Sequence, residues 1–187
     1  MIQFHPRDNR LLDVLEALPV VPFEGTVWRV VREGRSPCIG SAAGNRWDTG
    51  TFDVLYTSLT KEGAIAEIYY HLVQGQPVFP SKLRYNAHQI DVKLNGIYDL
   101  SDRKILESLG VNMSLYGQMS FLDRKGEYTA CQRIAEAAHF LGSKDAGEAS
   151  GIIVPNARYR CTNLVIFCEY VAPDALEEIC EEPVVWP

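Results

Sequence analysis

The chain has 187 residues, 47% of them hydrophobic and 22% charged, with a formal net charge of -6. That length buries one core without disulfide or metal staples, and the composition is that of a globular domain rather than a disordered or fibrous chain. The acidic balance and the lack of any Lys/Arg-rich run argue against nucleic acid as a direct partner, and no apolar stretch approaches the ~20 residues that span a bilayer.

In chain order, Leu11, Leu12, Val14, Leu15 and Leu18 give residues 9–18 a helical apolar pattern that Pro19 ends. Residues 26–31 read as a strand, with Val27, Arg29 and Val31 on one face and Trp28 and Val30 on the other. Residues 34–50 hold four glycines, a proline and two serines and read as a loop. A second strand follows at 54–57. Thr60 is placed to cap a helix starting at Lys61, whose apolar stripe is Ala64, Ile65, Ile68 and Leu72. At ~100° per residue Glu67 falls at the border of that stripe, where a side chain can look into a cleft.

Residues 85–94 alternate as a strand, and 96–100 continue or pair with it. Residues 105–109 and 128–141 read as helices, the second with Ile134, Ala135, Ala138 and Leu141 on one face and Gly142 as its stop. Residues 151–154 and 163–169 read as two late strands joined by a loop at 156–160. Helices and strands intermix without βαβ repetition, so the expected class is α+β, a mixed, largely antiparallel sheet core with flanking helices. One domain is expected over 1–187, with a core from about 25 to 170.

Cys38, Cys131, Cys161, Cys168 and Cys180 are odd in number and form no CxxC pair, which suits reduced thiols. With no signal-peptide pattern at Met1 onward, a cytoplasmic chain is expected. His5, His71, His88 and His139 show no zinc-binding spacing, so no metal is expected. Cys131 and His139 lie two turns apart, a conceivable nucleophile pair but more simply a core cysteine and a surface histidine. Asp91, Asp99 and Asp102 could hold magnesium but read as turn acids. There is no GxGxxG and no P-loop, so a dinucleotide would not be held in the Rossmann manner.

The richest stretch is Gly44 to Glu67, which places Arg46, Tyr56 and Glu67 at intervals of ten and eleven residues on a loop, a strand and a helix. A cation suited to phosphate, an aromatic face and a carboxylate together can hold a nucleotide. Each residue also has a plainer reading: a solvated loop arginine, a core tyrosine and a solvated helix glutamate. Scattered aspartates keep a metal-dependent hydrolase as a further alternative.

These residues carry a family resemblance. Trp28-Arg29, Asn45-Arg46-Trp47 with Gly50, Leu55-Tyr56-Thr57-Ser58, Ala64-Ile65-Ala66-Glu67, Gly151 to Arg158, and Asn163 to Phe167 resemble, in order and spacing, the motifs of the RES domain. Where that family usually carries serine, this chain has Asn156. The resemblance implies an ADP-ribosyltransferase-like fold and the toxin of a type II toxin–antitoxin pair that consumes NAD+ as substrate, with no resident cofactor. ADP-ribose would pass to water, phosphate or a protein side chain. The implied partner is an antitoxin with a helix-turn-helix DNA-binding part.

Carried onto this chain, the resemblance implies that Arg46 and Arg29 bind phosphates or ribose, Tyr56 orients nicotinamide, and Glu67 holds the ribose hydroxyls and stabilises the oxocarbenium. Asn156 and Arg158 would line the rim. The loops at 75–81 and 142–150 are candidates for shaping the acceptor face. Asn156 in place of serine keeps open a different class, a non-catalytic nucleotide-binding or protein-interaction module.

Overall fold

The computed structural model describes residues 8–73, 84–118, 127–144 and 149–187. Helix α1 (Asn9–Glu16) leads into strand β1 (Val20–Arg32), and a long loop connects it to β2 (Val54–Ser58). Helix α2 (Lys61–Val73), strand β3 (Tyr85–Asp99), and helices α3 (Arg103–Ser108) and α4 (Glu127–Lys144) follow. Strands β4 (Gly151–Pro155), β5 (Thr162–Phe167) and β6 (Leu176–Pro183) complete the chain, with a 3-10 turn over Cys168–Tyr170.

The strands run in the order β1-β2-β5-β4-β3-β6, and β1 pairs back onto β3, so five strands close on themselves and β6 lies outside. All pairings are antiparallel except β3–β4, where Tyr98 and Asp99 meet Ile152 and Ile153. The class is α+β with a mixed, largely antiparallel sheet.

The closure explains the apolar runs. Along β5, Leu164 and Ile166 face the interior with Val27, Leu55, Ile90 and Val92, while Val165 and Phe167 face the helical layer of Leu15, Leu106, Ile134 and Leu141. Strands β2, β4 and β5 are thus buried on both faces and read as continuous hydrophobic stretches rather than alternating ones. Helix α2 covers a third, smaller core of Val30, Ala64 and Ala87 beside Trp28 and Trp186.

Helix α2 begins where the Thr60 hydroxyl accepts from the Gly63 amide (3.1 Å), a cap satisfying one of the first-turn N–H groups. Gly63 lets this turn press onto the neighbouring strands, because a Cβ there would collide with Cys161 Sγ and Ser58 Oγ.

Several expectations are corrected. Of the two readings of 96–100, the structure has the continuation: β3 is one strand from Tyr85 to Asp99, because it is clamped by β1 along its length and by β6 and β4 in succession on its other side. Gly142 does not stop α4, which continues to Lys144. Its missing side chain instead admits the Ala149 carbonyl, which a Cβ would strike. The strand expected over 163–169 ends at Phe167. Strand β6 gave no sequence signal: LEEICEEP is half acidic and mostly exposed, and only its backbone ladder to β3 makes it a strand. Its charges discourage further edge pairing.

The loop at 75–81 lies outside the described residues, as do residues 145–148 of the 142–150 segment. Among the described residues no helix is long and apolar enough to cross a membrane.

Candidate active site

A cavity of about 310 Å³ opens between β1, the β1–β2 loop, β2, α2 and the turn after β4. Among the described residues it gathers Arg29, Arg46 and Arg158 against one carboxylate, Glu67, with Trp28, Trp47, Tyr56 and Tyr116 among its walls. In a chain of net charge -6, this local excess of cations favours an anionic ligand.

The β1–β2 loop carries Arg46 and is held without secondary structure of its own. Asp48, fully buried, accepts from the amides of Gly44, Asn45 (2.9 Å) and Gly50 (3.1 Å) and from the Tyr56 hydroxyl (3.0 Å). That hydroxyl in turn accepts from Trp47 N (2.9 Å). On the far side, Gln132 of α4 donates to the carbonyls of Asn45 (3.0 Å) and Asp48 (3.1 Å). Arg29 fastens the start of the loop by donating from Nη1 to the carbonyls of Pro37 and Ile39, both at 2.7 Å. An irregular segment is thereby given the satisfied backbone groups that a helix or strand would supply.

Glu67 reaches the cavity from the middle of α2. Its Oε1 accepts from Ala157 N (3.1 Å) and Asn163 Nδ2 (3.3 Å). The second oxygen, Oε2, has no partner among the described residues. The carboxylate is therefore fixed by one oxygen and presents the other.

The arginines are stiffened by aromatic neighbours. The Arg46 guanidinium lies 4.5 Å from the Tyr116 ring centre and that of Arg158 3.3 Å from the Tyr70 ring centre. Arg158 also donates to the Gly117 carbonyl. Burial lowers the Arg29 pKa, with the weak thiol acids Cys168 and Cys38 opposing; an arginine starts so high that it stays charged at neutral pH. Burial raises the Tyr116 phenol far above its ordinary value, and its hydroxyl donates to the Pro155 carbonyl (2.8 Å). His71, one turn beyond Glu67, is an exposed residue yet has its pKa lowered, chiefly by desolvation; Glu67 opposes, while Arg158 and Arg46 add to the lowering.

The structure thus brings Arg29, Arg46, Tyr56, Glu67 and Arg158 to one cavity. Asn156 is not in its wall. It is 8% exposed, and its side chain is spent on protein partners: Nδ2 donates to Asn163 Oδ1 (2.8 Å) and Gly63 O (3.3 Å), and Oδ1 accepts from the amides of Arg158 (2.7 Å) and Tyr159 (2.8 Å). The expected rim position of Asn156 is corrected accordingly.

Sequence reasoning missed Asp48, Gln132, Tyr116 and Asn163 in this setting. An acid followed by Thr-Gly in a glycine-rich loop was a usable signal for Asp48; Tyr116 and Gln132 lie in distant segments and gave none.

The other constellations dissolve. Cys131 is fully buried in the helical core, and His139 is no surface residue: it stacks on Phe52 at 4.2 Å and turns its nitrogens toward Tyr170 (3.4 Å) and Glu169 (3.2 Å). Asp99 and Asp102 accept from the amides of Ser101 (2.9 Å) and Lys104 (2.8 Å) as turn and cap residues. Among the described residues, His88, Glu178 and Glu181 have ligand atoms within 4.8 Å of one another. Glu178 is already bonded to His88 Nδ1 (2.7 Å), and Glu181 accepts from Asn86 Nδ2.

Comparison with known proteins bears on these residues directly. The RES domain matches residues 26–187. No curated protein sequence matches the chain. Among solved structures the fold is similar to one described as the M. tuberculosis MbcT–MbcA toxin–antitoxin complex, with a TM-score of 0.74 and 20% identity over 95% of this chain and 93% of that one.

Proposed function

The chain belongs to the RES-domain family, and from that premise we propose that it is the toxin of a toxin–antitoxin pair that cleaves the nicotinamide–ribose bond of NAD+. The observation that carries this reading is the Glu67 carboxylate, pinned through Oε1 by Ala157 N and Asn163 Nδ2, in a cavity that also holds three arginines and several aromatic rings.

The chemistry suits those groups. When the C1′–N bond breaks, its electron pair leaves on the pyridine nitrogen, and nicotinamide departs neutral. Little general-acid help is needed. The demand falls on positive charge developing at the ribose, which a fixed carboxylate stabilises. Arg46, Arg29 and Arg158 supply the cations for the diphosphate, and Tyr56 with the tryptophans supplies faces for the nicotinamide. The nucleophilic atom of the acceptor then bonds to C1′, and any proton it carries passes to solvent. At about 310 Å³ the cavity is at the small end of ligand sites, so it takes the reacting end of the dinucleotide and leaves the remainder at the mouth.

The binding-module alternative rested on Asn156. That side chain sits behind the cavity wall, so its departure from serine removes no group from the ligand's surroundings, which favours the enzyme. The partner we propose is an antitoxin with a helix-turn-helix part, covering the cavity mouth in the cytoplasm.

The test is NAD+ consumption by the purified protein, followed by proton and phosphorus NMR with and without inorganic phosphate, beside Glu67→Ala. Nicotinamide release by the wild type, slowed by ~10²-fold or more in the variant, is expected. ADP-ribose names water as acceptor, its 1″-phosphate names phosphate, and label appearing on protein only after cell extract is added names a protein. NAD+ left intact under every condition, or consumed equally by Glu67→Ala, refutes the reading.

A further inference from the structure

Two amide side chains, Asn163 in the cavity wall and Asn156 behind it, lie in series from the carboxylate, and their orientation is forced. At one end, the amides of Arg158 and Tyr159 are backbone N–H groups and only donate, so Asn156 must turn Oδ1 toward them (2.7 and 2.8 Å). Its Nδ2 then faces Asn163 Oδ1 (2.8 Å). Asn163 is left with Nδ2 as the group facing Glu67 Oε1 (3.3 Å). A carboxylate only accepts, so the far end demands the same sense. Neither amide can flip without setting donor against donor or acceptor against acceptor.

The relay is also anchored to the helix it serves. Asn156 Nδ2 reaches the Gly63 carbonyl (3.3 Å) in the first turn of α2, one turn before Glu67. The turn shaped by Asn156 Oδ1 supplies the second donor to Glu67, Ala157 N (3.1 Å). Helix, turn and strand β5 therefore fix one carboxylate oxygen together.

We infer that Asn163, with its polarity set by Asn156, is the positioning residue that holds Glu67 by Oε1 and so aims Oε2 at the developing charge. Asn163 acts through Glu67, and the inference rests on the reaction proposed above. Asparagine at 156 then serves a purpose: its amide donates toward Asn163 and Gly63 while its carbonyl accepts from two backbone amides.

Steady-state NAD+ turnover by the full chain tests this with Asn163→Ala, Asn163→Asp and Asn156→Asp, each checked for an unchanged melting curve. Losing one hydrogen bond to a charged group lowers kcat by about 10–100-fold in Asn163→Ala, with KM for NAD+ within about twofold. Asn163→Asp keeps the shape but sets a second carboxylate against Glu67, so it is slower still near neutral pH. It regains activity on acidification, as a proton shared between the acids restores a donor. Asn156→Asp, which keeps the acceptor and loses the donor, frees the Asn163 amide to flip and lowers kcat in the same sense.

A kcat within about twofold of wild type in Asn163→Ala, or a rise in KM alone, overturns the inference. Should Asn163→Ala fail to fold, the isosteric Asn163→Asp and its pH profile decide: no recovery on acidification overturns it. If the wild type leaves NAD+ intact, the functional reading fails separately, and crystal structures of the wild type and of Asn163→Ala decide the relay. A Glu67 carboxylate displaced from Ala157 N or disordered in the variant supports it; an unchanged one overturns it.

Discussion

Replacing Asp48 by alanine should loosen the arginine-bearing loop without unfolding the domain. The carboxylate is fully buried and accepts from Gly44 N, Asn45 N, Gly50 N and the Tyr56 hydroxyl. Gly50 is exposed and its amide can regain water, whereas Gly44, Asn45 and Tyr56 are half-buried and their donors lose their protein acceptor. Allowing about 1 kcal/mol for each of those gives roughly 3 kcal/mol, which at 1.4 kcal/mol per decade is about 100-fold in the local opening equilibrium. Amide hydrogen exchange is the assay. Gly44 and Asn45 should lose about 100-fold in protection in Asp48→Ala, while amides of the β3 ladder keep theirs. Asp48→Asn should fare little better, since its nitrogen meets donors. The same variants should raise KM for NAD+, because the loop that opens holds Arg46. Exchange at Gly44 and Asn45 within about threefold of wild type in both variants would refute the claim that this buried carboxylate organises the loop.

Arg46→Ala is expected to raise KM for NAD+ by about tenfold or more with a smaller change in kcat, and Arg46→Lys to restore little of it, because an ammonium lacks the planar face stacked on Tyr116. Gly142→Ala separates the two roles of that glycine in a urea titration. A helix stop or a solvated position would gain up to ~1 kcal/mol from alanine, whereas the collision with the Ala149 carbonyl predicts a loss of about 1–3 kcal/mol. Burial lowers the His139 pKa, with Glu169 opposing, so below about pH 6.5 the unfolded chain takes up the proton more readily than the native one and stability falls. Melting temperatures measured on either side of that pH should drop further for the wild type than for His139→Phe; equal drops would count against it.

What could be read from the sequence was whatever depends on neighbours along the chain. The Thr60 cap, the apolar stripe of α2 and the strands expected over 54–57 and 163–169 are local patterns, and the structure has these elements, the last of them ending at Phe167. The spacing of Arg46, Tyr56 and Glu67 delivered three consecutive elements to one side of the sheet for the same reason. What failed was long-range. Strand β6 exists because β3 offers a free edge, not because LEEICEEP prefers to be extended. Gly142 is silent about its purpose until the Ala149 carbonyl arrives beside it. The motif around Asn156 pointed to the right turn but the wrong face, since a side chain's direction is set by the donors that the closed sheet brings near it. By itself the sequence determined the elements other than β6, the class and the family motifs, because periodicity and turn chemistry act over a few residues. Only the tertiary structure decided which groups face the cavity and which brace it, because hydrogen bonds between residues 67, 157 and 163, or between 48, 56 and 132, form only once the sheet closes.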